Sequence, residues 1–173
     1  MGTTVCTIGH STRTIDEFIR ILQAYRIESV ADVRTIPKSR HNPQFNELEL
    51  TESLAAHGID YLRLEGLGGL RHTTSASINT AWENRSFRGY ADYMQTAEFA
   101  ESLATLMRLA GEKRTVIMCA EAVPWRCHRS LIGDALLILG VDVEDIMGEK
   151  TSRPHVLTAW ATVEQGRLTY PKT

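Results

Sequence analysis

The stretch Thr115-Val116-Ile117-Met118 is the clearest strand signal in the chain, because it is short, apolar and rich in β-branched residues. Apolar residues at helical spacing precede it, from Phe99 to Ala110. Pro124 follows it at a position typical of a first helical turn, and we expect that helix to run through Leu139. A strand between two helices is the unit of a parallel α/β sheet.

The same alternation recurs along the chain. A capping box at residues 14–17, Thr-Ile-Asp-Glu, opens a helix after the first strand, and Asn46 with Glu49 opens another after the second. The other predicted strands are residues 5–8, 29–33, 59–64 and 141–146. We therefore predict one α/β domain over residues 1–173, with a mostly parallel five-stranded sheet, helices on both faces and a Rossmann-like three-layer arrangement.

Two segments do not fit this alternation. Residues 66–88 are rich in Gly, Ser, Thr and Asn, and their length is typical of a lid, a substrate loop or a disordered segment. Residues 155–170 form either two short strands about Gln165-Gly166 or a helical turn and a strand.

Composition excludes several classes of protein. The 173 residues are 43% hydrophobic, and 19 Lys and Arg against 21 Asp and Glu give a net charge of −2, so the whole chain is no polybasic nucleic-acid or membrane binder. No apolar run has the length of a membrane span, and the N-terminus lacks an export signal. We expect a cytoplasmic protein with its three cysteines reduced.

Basic residues gather in the segments that follow the predicted strands. Residues 9–14, 34–42 and 119–130 carry net charges of +1, +3 and +1 in a chain whose total is negative. Ligands of parallel sheets bind at the carboxyl ends of the strands. A basic cleft at that edge would attract a phosphate, a nucleotide or a nucleic-acid backbone, and the alternative is that these charges are merely solvated.

The predicted helix from Pro124 has cations where a first turn favours acids, namely Arg126, His128 and Arg129. A bound anion would reverse this unfavourable placement by accepting hydrogen bonds from the arginines and the free backbone N–H groups. In the structural alternative, Arg126 or Arg129 pairs with a carboxylate: Asp32, Glu121 or Asp134.

Cys119 ends the clearest strand, where cysteine phosphatases and sulfurtransferases place a thiolate. A phosphatase loop needs Cys-x5-Arg, but Trp125 occupies that position and Arg126 comes one residue late, which favours an apolar, half-buried Cys119. Cys119, Glu121, Cys127, His128 and His10 are also metal-ligand types, but their spacing matches no familiar zinc site. We predict no cofactor and keep a Cys/His metal or redox protein as an alternative.

Three further groups of residues have candidate roles. His10 and Glu121 are the proton carriers, and Asp32, Cys127 and His128 are supporting residues. Aromatic side chains near the long loop either stack on a base or belong to the core; they are Trp82, Phe87, Tyr90 and Tyr93.

Linked motifs in the chain resemble the family called domain of unknown function 488. They are residues 7–13, Asp32-Val33-Arg34, residues 37–40 and above all Cys119-Ala120-Glu121 with Pro124 and Cys127-His128-Arg129, and the tail at residues 155–158 and 166–171 is similar too. The resemblance runs from about residue 4 to residue 171 and implies a compact α/β domain. It also implies that the motif residues lie together: His10, Ser11, Asp32, Arg34, Arg40, Cys119, Glu121, Cys127, His128 and Arg129.

These observations favour an enzyme that acts on a phosphate-bearing substrate, a nucleotide or nucleic acid. Glu121, His10 and Cys119 are the candidate catalytic residues, and Ser11, Arg34, Arg40, Arg126 and Arg129 are the candidate anion-binding residues. The alternative from another class is a non-catalytic sensor or binding module that uses the same cleft. The expected partner is an anionic small molecule or a nucleic acid, not a membrane.

Overall fold

The computed structural model describes residues 2–173, in which eight strands and five α-helices are found. In chain order they are β1 Thr4–Gly9, α1 Ile15–Ala24, β2 Ser29–Asp32, α2 Glu47–Ala55, β3 Asp60–Arg63, α3 Arg85–Tyr93, α4 Ala97–Glu112, β4 Thr115–Cys119, α5 Arg129–Ile138, β5 Asp142–Gly148, β6 Thr151–Pro154, β7 Thr162–Glu164 and β8 Arg167–Thr169. Within the same residues, no helix has the length and apolar character needed to cross a bilayer.

Six strands form one sheet in the order β3-β2-β4-β1-β5-β6. The first five run parallel, and β6 is antiparallel to β5. The predicted α/β fold with a mostly parallel sheet is confirmed, with one strand more than expected. The extra strand, Thr-Ser-Arg-Pro, is polar and lies at an edge, where Pro154 and Arg153 discourage further strand pairing, so it has no apolar signature.

Helices cover both faces of the sheet because its central strands alternate their apolar side chains. Val116 and Met118 pack with α1 and α2, whereas Ile117 and Cys119 pack on the opposite face with α3, α4 and α5. The three central strands, β2, β4 and β1, are almost wholly buried, as expected for parallel strands covered on both sides.

The two predicted helix caps behave differently. The Thr14 hydroxyl accepts a hydrogen bond from the Glu17 N–H at 3.1 Å, which confirms the start of α1. Asn46 precedes α2 as expected but does not cap it, because its side-chain oxygen accepts the Ser39 N–H at 2.7 Å. Asn46 therefore holds the loop after β2 in place.

The helix expected from Pro124 through Leu139 begins later than predicted. Pro124–Arg126 form a single 3₁₀ turn, and the backbone is extended at Cys127, with φ −141° and ψ 148°. The helix α5 starts only at Arg129 and is followed by Leu139 as its C-cap residue. Arg126 and Arg129 consequently belong to different elements and face different surroundings.

The long irregular segment ends at α3, a helix that its mixed polar sequence did not predict. Asp92 on this helix orders the segment by accepting hydrogen bonds from Thr73, Ser77 and Asn79. At the other end of the chain, β7 and β8 form a hairpin about Gln165-Gly166, both with positive φ. The two-strand alternative for residues 155–170 is thus confirmed.

Candidate functional site

The site lies where the connections of the sheet reverse direction. The chain passes from β1 toward β2 on one side and from β4 toward β5 on the other, although β1 and β4 are neighbours. A crevice forms at such a switch point, beyond the carboxyl ends of the strands. Here the two loops remain paired past the strands, since the N–H groups of His10 and Ser11 donate to the carbonyls of Cys119 and Ala120 at 2.9 and 3.0 Å.

Gly9 makes this close approach of the two loops possible. A Cβ atom at residue 9 would lie 1.6 Å from the carbonyl oxygen of Glu121 and 2.9 Å from the Cα of Ala122. Both neighbours are backbone atoms, so neither can rotate away. The glycine in the Gly-His-Ser-Thr segment is therefore required by packing against residues 121–122.

A cavity of about 400 Å³ opens beside these loops, and we refer to it as the thiol cavity. Its walls contain many of the residues that the sequence predicted for the site: Arg34, Cys119, Glu121, Arg126, Cys127 and His128. The remaining wall comes from the long segment and α3, including Gly69, Leu70, Phe87 and Tyr90. Residues from three distant parts of the chain thus share one hollow.

Asp32 and Arg34 form a buried ion pair, of which Arg34 lines the thiol cavity. The Asp32 carboxylate accepts from the Arg34 backbone N–H, from its Nε at 3.0 Å and from its terminal nitrogen at 2.7 Å. Tyr61 on β3 donates its hydroxyl to the same carboxylate at 2.5 Å. Because Asp32 offsets the charge of Arg34, this arginine contributes a fixed hydrogen-bonding surface more than a free positive charge.

His10 is buried and neutral. It stacks on Phe45 with ring centroids 4.3 Å apart, and burial, together with the positive charge of Arg34, lowers its pKa to about 4. Its Nδ1 lies 2.8 Å from the Ser11 carbonyl and its Nε2 lies 3.4 Å from an Arg34 nitrogen. The ring therefore donates through Nδ1 and accepts at Nε2, a geometry that orients Arg34 and leaves no free nitrogen toward the cavity.

The Cys119 and Cys127 thiols have opposite acidities. Burial alone would raise the pKa of Cys119, but a hydrogen bond with Cys127, the charge of Arg129 and a backbone hydrogen bond at Glu121 outweigh burial and lower it. The pKa of Cys127 is raised by its hydrogen bond to Cys119 and by burial. Cys119 is therefore the more acidic of the two thiols.

Arg129 is a buried cation at the first position of α5. Only 1% of its surface is exposed, and one terminal nitrogen donates to the Glu121 carbonyl at 3.1 Å. Its Nε and its other terminal nitrogen have no hydrogen-bond partner among residues 2–173. A buried guanidinium is stable only near negative charge, and the charge of Arg129 lowers the pKa of both Asp145 and Cys119.

His128 closes the cavity on the side of β2. Its Nε2 lies 2.8 Å from the Val33 carbonyl and its Nδ1 lies 3.5 Å from the Cys127 sulfur. Burial lowers the pKa of His128 to about 4, so the ring is neutral and donates to Val33. Gly69 leaves room for it, because a Cβ there would lie 3.2 Å from Nδ1.

Two predicted anion-binding residues lie away from the cavity wall. Arg40 is exposed on the loop between β2 and α2. Ser11 is half-buried and meets the site through its backbone. Tyr61 and Phe45 were missed as supporting residues, because their contacts with Asp32 and His10 cross between elements and leave no local pattern.

A second buried polar network was also missed by sequence reasoning. His155 lies between Asp134 on α5 and Asp145 on β5, with its ring nitrogens 3.0 and 2.9 Å from their oxygens. The Thr7 and Tyr170 hydroxyls donate to the outer oxygens of the two carboxylates at 2.6 and 2.8 Å. Burial opposes protonation of His155, but the two carboxylates raise its pKa to about 9, so the ring is a cation at neutral pH.

Across residues 2–173, no group of three or more His, Cys, Asp and Glu side chains has an arrangement that could hold a metal ion. A family model described as "Domain of unknown function DUF488" matches residues 14–136, which is most of the chain and contains β2, β4 and both cysteines of the thiol cavity. Comparison with curated proteins gives no significant match. Comparison with solved structures gives none either.

Proposed function

The chain belongs to the DUF488 family, and from its site we propose that it is an enzyme that binds a phosphate-bearing substrate in the thiol cavity and uses the Cys119 thiolate as its nucleophile. The family description names no activity, so the proposal is based on the geometry of the cavity. A volume of about 400 Å³ lies within the range of small-molecule sites and is suited to a ligand of nucleotide size.

The observation that carries the proposal is the buried Arg129 guanidinium behind Cys119. It has two N–H-bearing nitrogens without partners in residues 2–173, and its charge helps to lower the pKa of Cys119. A lowered thiol pKa beside an arginine favours a reactive cysteine, and Cys119 lines the cavity although only 3% of its surface is exposed. The missing Cys-x5-Arg spacing does not argue against a reactive Cys119, because the positive charge beside the thiol comes from Arg129 instead.

Anion binding would come from the cavity wall. Arg126 is exposed in the 3₁₀ turn and lines the cavity, and Arg34 presents the guanidinium that Asp32 and His10 hold in place. Charge-assisted hydrogen bonds from such arginines to a phosphate contribute about 1.5–3 kcal/mol each. The exposed charge of Arg126 would attract the phosphate, and the fixed guanidinium of Arg34 would orient it.

The chemical step then follows from the residues at hand. The Cys119 sulfur attacks phosphorus, a bond between sulfur and phosphorus forms, and the bond to the leaving oxygen breaks. The leaving oxygen takes a proton from solvent water. Glu121 is the carboxylate that lines the cavity, and it would accept a proton from the water that then attacks phosphorus, so that the bond between sulfur and phosphorus breaks, phosphate leaves and the thiolate is restored. His10 has no such role, since both its ring nitrogens are engaged.

Anion binding is tested by comparing a substitution of Arg126, in the cavity wall, with the same substitution of Arg40, outside the wall. Arg126→Ala should weaken binding of AMP and inorganic phosphate about 10- to 150-fold by isothermal titration calorimetry, the loss expected for one charge-assisted hydrogen bond. Arg40→Ala, an exposed arginine away from the cavity, should change affinity less than about twofold. Equal losses in the two variants would mean unspecific attraction and would contradict the proposal.

The catalytic part is tested separately. Cys119→Ser should keep AMP affinity and remove phosphate release from a panel of nucleotides, whereas Cys127→Ser should keep measurable turnover. Turnover by Cys119→Ser at the parent rate would exclude the nucleophile.

A non-catalytic binding module is the second candidate, favoured by the 3% exposure of Cys119. Binding that depends on Arg126 without turnover of any nucleotide would establish it. A redox role for the two thiols would instead show as their oxidation to a disulfide with retained AMP binding.

A further inference from the structure

A second cavity, of about 390 Å³, lies on the other side of the Pro124–Arg126 turn, and we call it the tryptophan cavity. All three tryptophans of the chain line it: Trp82, Trp125 and Trp160. Trp82 is buried and held edge-on by Trp160, Phe87 and Tyr170 at centroid distances of 5.0, 5.1 and 5.5 Å. Trp125 and Trp160 leave 53% and 47% of their surface exposed, so part of each indole is accessible to a ligand.

The charges around the cavity indicate what kind of ligand fits. Arg153 lies over the Trp125 ring, 4.7 Å from its centroid, and the protonated His155 forms part of the wall. The one carboxylate in the wall, Asp145, has both oxygens occupied by Thr7 and His155. Asp134 and Asp145 offset the charge of His155, so the exposed charge of the wall is that of Arg153, whose guanidinium lies over Trp125 where a cationic ligand would have to bind. The wall therefore suits a planar, electron-rich ring that carries negative charge nearby.

The position of the tryptophan cavity next to the thiol cavity further restricts the kind of ligand that could bind there. Trp125 lines the tryptophan cavity, and the next residue, Arg126, lines the thiol cavity. Because Trp125 and Arg126 are consecutive, the two cavities adjoin at this turn, and a base on Trp125 and a phosphate on Arg126 would occupy neighbouring positions. Sequence-tolerant single-strand binding combines these two features, exposed aromatic rings and basic side chains.

We propose that the tryptophan cavity holds a nucleobase of a single-stranded nucleic acid, stacked on Trp125 and Trp160, while the adjacent phosphate lies in the thiol cavity. This inference rests on the proposed function and names its substrate class: a strand of DNA or RNA with at least one base beside the reacting phosphate. Arg153 would contact the backbone or the base face on the outer side. A base-paired duplex would not bind in the same way, because its rings are stacked on one another.

Tryptophan fluorescence tests this directly, since every tryptophan of the chain lines the cavity. Short single-stranded oligodeoxyadenylate and oligoadenylate should quench the emission, and the preferred strand identifies DNA or RNA as the ligand. Trp125→Ala should weaken strand binding about 5- to 150-fold, the loss expected for one base stacked on an aromatic ring, and Trp125→Phe should restore most of it. Duplex of the same sequence should compete poorly.

Arg153→Ala and Arg108→Ala form a matched pair for charge. Both arginines are exposed, but Arg108 lies on α4 away from either cavity. The first variant should reduce affinity for the strand and lower the salt dependence of binding, whereas the second should change neither. Equal effects would overturn the inference.

Two further outcomes separate this inference from the proposed function. If AMP and inorganic phosphate bind in an Arg126-dependent way but no single strand quenches the tryptophans, or choline quenches them instead, the base site is wrong and the proposed function stands. If Trp125→Ala weakens strand binding while Cys119→Ser retains full turnover, the base site stands and the proposed nucleophile is wrong.

Discussion

His155 should make the stability of this protein depend on pH at the alkaline side of neutrality. Its cationic ring joins the Asp134 and Asp145 carboxylates, which are buried, and this raises its pKa from an ordinary value of 6.5 to about 9. A difference of about 2.5 pH units corresponds to about 3 kcal/mol of folding free energy. Because the folded pKa is the higher one, this stabilisation is complete below pH about 6.5 and is lost as the pH rises through about 9.

The assay is urea unfolding followed by tryptophan fluorescence between pH 6 and pH 10, with the His155→Gln variant beside the parent protein. The free energy of unfolding of the parent should fall by about 3 kcal/mol more than that of the variant across this window, a large part of the 5–15 kcal/mol typical of a domain. His57→Gln is the matched control, because His57 is exposed just after α2 and its ring hydrogen-bonds the Ser53 carbonyl of that helix rather than a carboxylate.

Parallel pH curves for the parent and His155→Gln would refute the reasoning. Should the variant fail to fold because two buried carboxylates lose their partner, NMR titration of the His155 ring in the parent protein decides the same question. A midpoint near 9 supports the charged bridge, and a midpoint at or below 6.5 refutes it.

Three other predictions concern the candidate site. The pH dependence of iodoacetamide modification, followed by peptide mass spectrometry, should give Cys119 an apparent pKa below the ordinary 9.0. The buried thiol of Cys6 should have an apparent pKa above 9.0, and equal pKa values for the two thiols would contradict the greater acidity of Cys119. Gly9→Ala should destabilise the fold by about 1–3 kcal/mol, because the new Cβ atom would collide with backbone atoms. Gly111→Ala on α4 should stabilise the fold by about 0.5–1 kcal/mol, because its Cβ atom would lie in open space. Thermal unfolding midpoints that shift in the same direction in both variants would contradict this. Asp32→Asn should cost about 3–5 kcal/mol in urea unfolding because a buried guanidinium loses its counter-charge, and a loss below about 1 kcal/mol would contradict the buried pair.

Local patterns in the sequence were sufficient to predict a central strand of the sheet and the start of the helix α1. The β-branched run at residues 115–118 lies in a central strand, and Thr14 caps α1 as its spacing indicates. The rule that parallel strands direct their following loops to one edge was enough to bring Arg34 and Cys119 to a single cavity. These predictions succeeded because each depends on one element or on the handedness of the crossover.

Contacts between elements were not predictable in the same way. The extended backbone at Cys127 separates the Pro124 turn from α5, and no residue type at that position signals it. Tyr61 reaches Asp32 only because β3 and β2 pair in one particular register. His155 likewise gains its charge from two carboxylates that are 10 and 21 residues away in the chain.

The Asp134–His155–Asp145 bridge has a consequence for how this protein can be divided. The family match ends at residue 136, yet Asp134 inside it depends on His155 and Tyr170 beyond it for its hydrogen bonds. Thr7 on a central strand depends in the same way on Asp145. A fragment cut at the family boundary would lack both of these partners of Asp134, so we expect it to be less stable than one that extends to Tyr170, well past the part that identifies its relatives.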